Sequence, residues 1–170
     1  MSTAMIPIVP RNELDLVKND PYEYITLFTN KYFQIMHSDP TGQVLNKFTN
    51  DQNALLAFVI MDGQVCNGGF IQLIENKYGS YIFDSPLGEY LNKWGAIKTA
   101  KILDEARLIY HQKKAILEKE KTLEEFAKLY QEHPDFEELE SQYYIEVDSE
   151  KEIIKNHIQS NLSMFAMVTD

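Results

Sequence analysis

The chain has 170 residues, with 26 acidic side chains against 16 lysines and arginines and a formal net charge of −10. Apolar residues at 44% and aromatics at 12% fit a folded domain and exclude a disordered acidic chain, which is poor in aromatics. The single cysteine excludes a disulfide framework and a cysteine zinc cluster, and the acidity excludes direct binding to nucleic acid or anionic lipid, which needs lysine and arginine to displace counterions.

Residues 1–18 read as a loosely ordered entry arm ahead of one helical domain over residues 19–170. The start, Met1 to Pro10, lacks a basic leader and places prolines where a signal segment would be helical. The longest apolar run, Ala54 to Met61, falls short of the roughly 20 residues a bilayer needs. A cytoplasmic protein is expected.

Asp20-Pro21 pairs an N-cap with a proline at the first helical position. Tyr24, Ile25, Phe28, Tyr32, Ile35 and Met36 follow at spacings of three and four, the stripe of an amphipathic helix, which His37 to Thr41 should end. A second helix should start near Asn50 or Asp51 and stop by Asn67. Phe70 to Tyr78 restarts a short helix that Gly79 closes. Ser85-Pro86 begins another, reaching Leu91, and a long helix spans about Trp94 to Glu118. Thr122 and Glu125 form a capping box for a helix that Pro134 blocks, and Ser149 with Glu152 forms a second box for the last helix. The segments Tyr78 to Phe83 and Tyr143 to Val147 look strand-like, but are short enough to be absorbed into helices or loops. The expected fold is all-α: a single compact domain of about seven helices behind the arm.

No catalytic constellation emerges. Histidines 37, 111, 133 and 157 never take zinc-helix spacing, Cys66 has no partner cysteine, and neither a nucleophile elbow nor a dinucleotide loop is present. No metal site and no cofactor is expected. A return to an enzyme reading would require a deep pocket near Asn67, Gln72 and His111. Asn67-Gly68-Gly69-Phe70 suits a sharp reversal between helices, because glycine and asparagine tolerate positive φ.

The charge is regional. The first hundred residues hold −3 and the last seventy −7. Glu132, Asp135, Glu137, Glu138, Glu140, Glu146, Asp148, Glu150 and Glu152 are opposed in their stretch by Lys151 alone. These nine residues are the candidate partner-binding surface, offering carboxylates where a basic protein expects phosphates.

Gln64-Val-Cys-Asn67-Gly68-Gly69-Phe70-Ile-Gln72-Leu-Ile-Glu-Asn76-Lys-Tyr-Gly79 resembles the signature of the bacterial DNA-mimic protein family. The likeness continues through Trp94-Gly95-Ala96, Ile102 to Ala106, and Phe136 to Tyr144, covering roughly residues 50–166. Two positions depart from the pattern: Gln64 stands where glutamate is usual, and Glu140-Ser141 where an aspartate is common. The resemblance implies an all-helical fold in which Asn67, Gly68, Gly69, Phe70, Gln72, Asn76 and Gly79 are architectural. It further implies a non-catalytic acidic protein, a homodimer in the characterised type, that occupies the DNA-binding surface of a basic protein such as a transcriptional repressor. An immunity or antitoxin-like protein that neutralises a nuclease toxin is the alternative.

Overall fold

The computed structural model describes residues 6–38 and 43–170. Chain order begins with β1 (Ile8–Pro10), α1 (Arg11–Val17), α2 (Pro21–Ser38) and a 3-10 turn (Gln43–Lys47). Next come α3 (Asn50–Glu75), α4 (Gly79–Phe83), α5 (Leu87–Trp94) and α6 (Ile97–Leu117). The chain finishes with α7 (Leu123–Glu132), a 3-10 turn (Pro134–Phe136), α8 (Glu137–Ser160), α9 (Leu162–Phe165) and β2 (Met167–Thr169). The all-α expectation holds, with seven helices of seven residues or more among the described residues.

Local chemistry sets most boundaries. Asp20 Oδ1 accepts the Glu23 N–H at 3.0 Å. Thr122 and Glu125 exchange hydrogen bonds as a capping box at α7, and Thr49 with Gln52 does the same at α3. Helix α2 runs to Ser38; of the stop expected there, Asp39 to Thr41 lie outside the described residues. The two strand-like segments are absorbed into helices, the first largely into α4 and the second into α8.

Three expected boundaries are corrected. Ser149 opens no helix: it sits inside α8, and its hydroxyl donates to the Glu146 carbonyl at 2.8 Å. The apolar stripe of Leu139, Tyr143, Val147, Ile154 and Ile158 is buried on both sides of it, and burial of that stripe outweighs a local cap. Gly79 starts α4 and does not close α3, whose end is a double-bonded cap. There Lys77 N–H reaches the Ile74 carbonyl at 2.9 Å and Tyr78 N–H the Leu73 carbonyl at 3.1 Å, with Lys77 at φ 68°. Trp94 belongs to the end of α5, and α6 begins only at Ile97 after Gly95 turns the chain at φ 95°.

The long helices α2, α6 and α8 surround α3. By length and composition α3 could cross a membrane, yet Leu55, Leu56, Phe58, Met61 and Val65 are spent on the interior. Its buried polar groups have partners: Trp94 Nε1 donates to Asp51 at 3.2 Å, and Gln52 Nε2 donates to the Phe165 carbonyl at 3.3 Å. From residue 7 onward the entry arm is docked. Ile8 to Pro10 pair in parallel with Met167 to Thr169, and Val9 is fully buried.

Phe165 closes this end of the core. Its ring meets Phe28, Trp94 and His157, and its carbonyl also accepts the Tyr32 hydroxyl at 2.9 Å. Replacing Phe165 with alanine is expected to cost about 3–5 kcal/mol, measured as the shift in urea unfolding. A loss below 1 kcal/mol would mean that the C-terminus is not part of the core.

Candidate functional site

The signature glycines break α3. Gly68 is extended at φ −163°, and Gly69 takes φ 77° and ψ −175°, a conformation that side-chain-bearing residues rarely adopt. A break in a helix frees backbone groups that burial would leave unpaired, and α7 and α8 supply partners for them. Tyr130 donates its hydroxyl to the Gly68 carbonyl at 2.8 Å, Tyr144 donates to the Val65 carbonyl at 2.9 Å, and Glu140 Oε1 accepts the Phe70 N–H at 2.8 Å. Glu140 thus caps the restarted half of α3, where a helix N-terminus favours negative charge. A side chain on either glycine would displace the end of a neighbouring one. A methyl on Gly69 would lie 2.2 Å from Glu140 Oε1, and one on Gly68 would lie 2.0 Å from Gln72 Oε1.

The other signature residues fall around this break. Phe70 is fully buried against Phe83 and Phe136, at ring distances of 6.1 and 5.6 Å. Gly79 lies against the Tyr110 ring, where a methyl would come within 2.8 Å. Gln64 Oε1 accepts from Asn76 Nδ2 at 2.7 Å and from Gln72 Nε2 at 3.4 Å. That bridge ties the helix before the break to the helix after it. It needs only an acceptor oxygen at position 64, a role that a glutamate there would fill equally.

Asn67, Gln72 and Asn76 also line an open groove of about 390 Å³ with Glu75, Lys121, Leu123 and Phe126. Its two charged members pair with each other, Lys121 Nζ lying 3.1 Å from Glu75 Oε2. His111 is not among its lining residues and pairs elsewhere with Asp84 at 3.2 Å. Cys66 faces Asp62 at 3.4 Å, and burial, then the Asp62 charge, pushes its thiol up to about 11, away from nucleophilic use. His157 stacks on Trp94, and burial lowers its affinity for a proton.

The nine acidic candidates do not share one face. Glu150 is 2% exposed, and its carboxylate accepts the Thr99 N–H at 2.9 Å in the first turn of α6. Glu140 is half-buried at the break. Both are removed from the candidate surface, because carboxylates that cap helix starts inside the protein are not displayed to a partner. Three more are tied to lysines. Glu146 meets Lys98 at 2.6 Å, Glu152 meets Lys155 at 3.1 Å, and Asp135 contacts Lys113, which holds the Asp135 carboxyl below its usual value.

Glu132, Glu137, Glu138 and Asp148 point outward. Asp148 is 94% exposed, with Lys151 Nζ 4.0 Å away. On α8, Glu137, Glu138, Asp148 and the half-exposed Glu152 fall within about 100° of arc and along about 22 Å of axis. Lys151 turns inward and meets Asp62 at 2.9 Å, while Tyr143 donates its hydroxyl to the other Asp62 oxygen at 2.8 Å. Sequence reasoning missed this buried Asp62–Lys151–Tyr143 group. Its only trace was the four-residue step from Tyr143 to Val147, which puts Glu150 and Lys151 on the seam of α8.

A family model described as DMP19-like protein matches residues 46–161. The chain is 33% identical over 162 residues to the protein named DNA mimic protein DMP19 from Neisseria meningitidis serogroup B, across 91% of this chain and 93% of that relative.

Glu140→Ala is expected to lower stability by about 1–3 kcal/mol by orphaning the Phe70 N–H, whereas Glu140→Gln keeps an acceptor there and stays near wild type at neutral pH. Burial raises the Glu140 carboxyl above 4.5, with Glu137 adding to the rise and the Phe70 N–H opposing it. A carboxyl raised by folding contributes stability in full below its unfolded value, and that contribution fades as pH rises through the folded value. Between about pH 4 and pH 7, wild type should therefore lose stability relative to Glu140→Gln, as read from urea midpoints at each pH. A constant difference between the two proteins would contradict the buried cap. Gly69→Ala should cost more than about 1 kcal/mol, because it meets both a positive φ and the Glu140 carboxylate.

Proposed function

The chain belongs to the DMP19-like protein family, and from that premise we propose that it is a non-catalytic DNA mimic. Its acidic side would occupy the DNA-binding surface of a basic protein, with a transcriptional repressor as the partner class. The observation that carries this reading is the outward row on α8. Glu137, Glu138, Asp148 and Glu152 line one side of a rigid helix, so their spacing is set before any partner arrives. Preset spacing matters because a backbone already ordered leaves only the side chains to be ordered on binding.

The magnitudes limit what α8 does alone. Duplex DNA carries one charge per about 1.7 Å of axis. Four carboxylates over about 22 Å, one of them paired with Lys155, give at most one charge per roughly 5–6 Å, or no more than about a third of duplex density. The α8 row therefore stands in for part of one strand, and further exposed carboxylates must complete the imitation. Asp15, Asp20 and Glu23 are exposed at the α1–α2 end. The Tyr22 ring lies 5.4 Å from Lys151 Nζ, so that end borders the α8 row.

The test is capture of basic proteins on immobilised chain, with released DNA-binding proteins identified by mass spectrometry. Wild type should retain a DNA-binding protein at low salt and lose it as salt screens the charges. The quadruple variant Glu137→Gln, Glu138→Gln, Asp148→Asn, Glu152→Gln should retain at least tenfold less, as an order-of-magnitude expectation for removing several interfacial charges. Equal capture by both proteins, or capture indifferent to salt, would count against the reading.

A further inference from the structure

Lys151 is the one lysine or arginine between Glu132 and Glu152, so where its charge goes decides how negative the outward row is. Its ammonium lies 2.9 Å from Asp62 Oδ2 and 4.0 Å from Asp148 Oδ1, and its side chain is 10% exposed. Asp62 comes from a different helix, α3, and is itself 7% exposed. It cannot swing away, because Tyr143 and Cys66 hold its second oxygen at 2.8 and 3.4 Å. We propose that Asp62 is an electrostatic shield: by holding Lys151 from beneath, it keeps that cation from neutralising Asp148 and so sets the charge that α8 shows to a basic partner.

This inference rests on the acidic-face reading above and assigns a positioning role to a residue that no partner can touch. Lys151 lies nearer to Asp62 than to Asp148, at 2.9 against 4.0 Å, and with Asp62 ionised the three groups together keep one net negative charge for the outward row. Without the Asp62 charge, Lys151 faces Asp148 one helical turn away, at three-residue spacing suited to an ion pair. The row then loses one charge at Asp148, whose side chain is 94% exposed. Glu152 gains less from the shield, since Lys155 already sits 3.1 Å from it.

The experiment is calorimetric titration with protamine, an arginine-rich DNA-packing protein, at low salt, on variants shown by circular dichroism to be folded. Asp62→Asn should weaken binding about three- to tenfold, as Asp148→Asn should, the size expected for one unit charge near the contact. Asp62→Asn/Lys151→Met has the wild-type net charge, and its affinity should return to within about twofold of wild type. A merely structural role predicts the opposite, because the double variant removes more of the buried group. The shield is overturned if the double variant binds as weakly as Asp62→Asn. It is also overturned if Asp62→Asn binds like wild type while Glu137→Gln/Glu138→Gln is weakened, and in that case the acidic face itself stands. If Glu137→Gln/Glu138→Gln binds like wild type as well, the acidic-face reading fails and the shield fails with it.

Discussion

The structure turns on one hydrogen bond, from the Phe70 N–H to the Glu140 carboxylate. Helix α3 runs through the core and must change direction at Gly68–Gly69 to carry Phe70, Ile71, Leu73 and Ile74 into the interior. A break inside a core helix is tolerable only if its freed backbone groups find partners. Tyr130, Glu140 and Tyr144 supply them from α7 and α8. The order of α3 therefore depends on helices that follow it by some 60 to 80 residues in sequence. The signature around residues 64–79 is one half of a clamp, and residues 130–144 are the other.

That clamp changes the meaning of the acidic segment. An ionised carboxylate is costly to bury unless hydrogen bonds or a cation replace the lost water. Glu140, Glu150 and Asp62 meet this condition with the Phe70 N–H, the Thr99 N–H and Lys151. These carboxylates join helices to one another. Glu137, Glu138 and Asp148 have no such duty and stay in solvent, where like charges repel and slightly destabilise the fold. One helix thus carries two kinds of carboxylate, alike in composition and opposite in consequence. Beneath α8 the cation of the segment, Lys151, turns to Asp62 at 2.9 Å.

Much of this was legible from residues alone. Apolar spacing and the caps at Asp20 and Thr122 place most helices, and the Asn-Gly-Gly-Phe turn marks the break. The second capping box shows where the reading runs out. Ser149 and Glu152 match the same local pattern as Thr122 and Glu125, but the α8 stripe passes straight through them, and long-range burial decides between cap and interior. That phase also puts Glu150 on the seam and Asp148 outside, a distinction invisible to a tally of acids. The pairing of Ile8–Pro10 with Met167–Thr169 has no local signal, because neither three-residue segment carries a pattern that names the other. The partners of Glu140 were hidden for the same reason: a cap supplied from 70 residues away leaves no mark near the glycines it serves.

The central claim is that the carboxylates of this segment divide into those that hold helices and those that face a partner. Site-resolved carbon NMR of the Asp and Glu carboxyls at one fixed neutral pH, with and without bound protamine, tests it directly. A cation placed beside a carboxylate changes the field at its carbon. The account predicts that the Glu137, Glu138 and Asp148 signals move in the complex, while those of Asp62, Glu140 and Glu150 stay where they are in the free protein. Equal shifts in both groups, or none in the outward three, would contradict it.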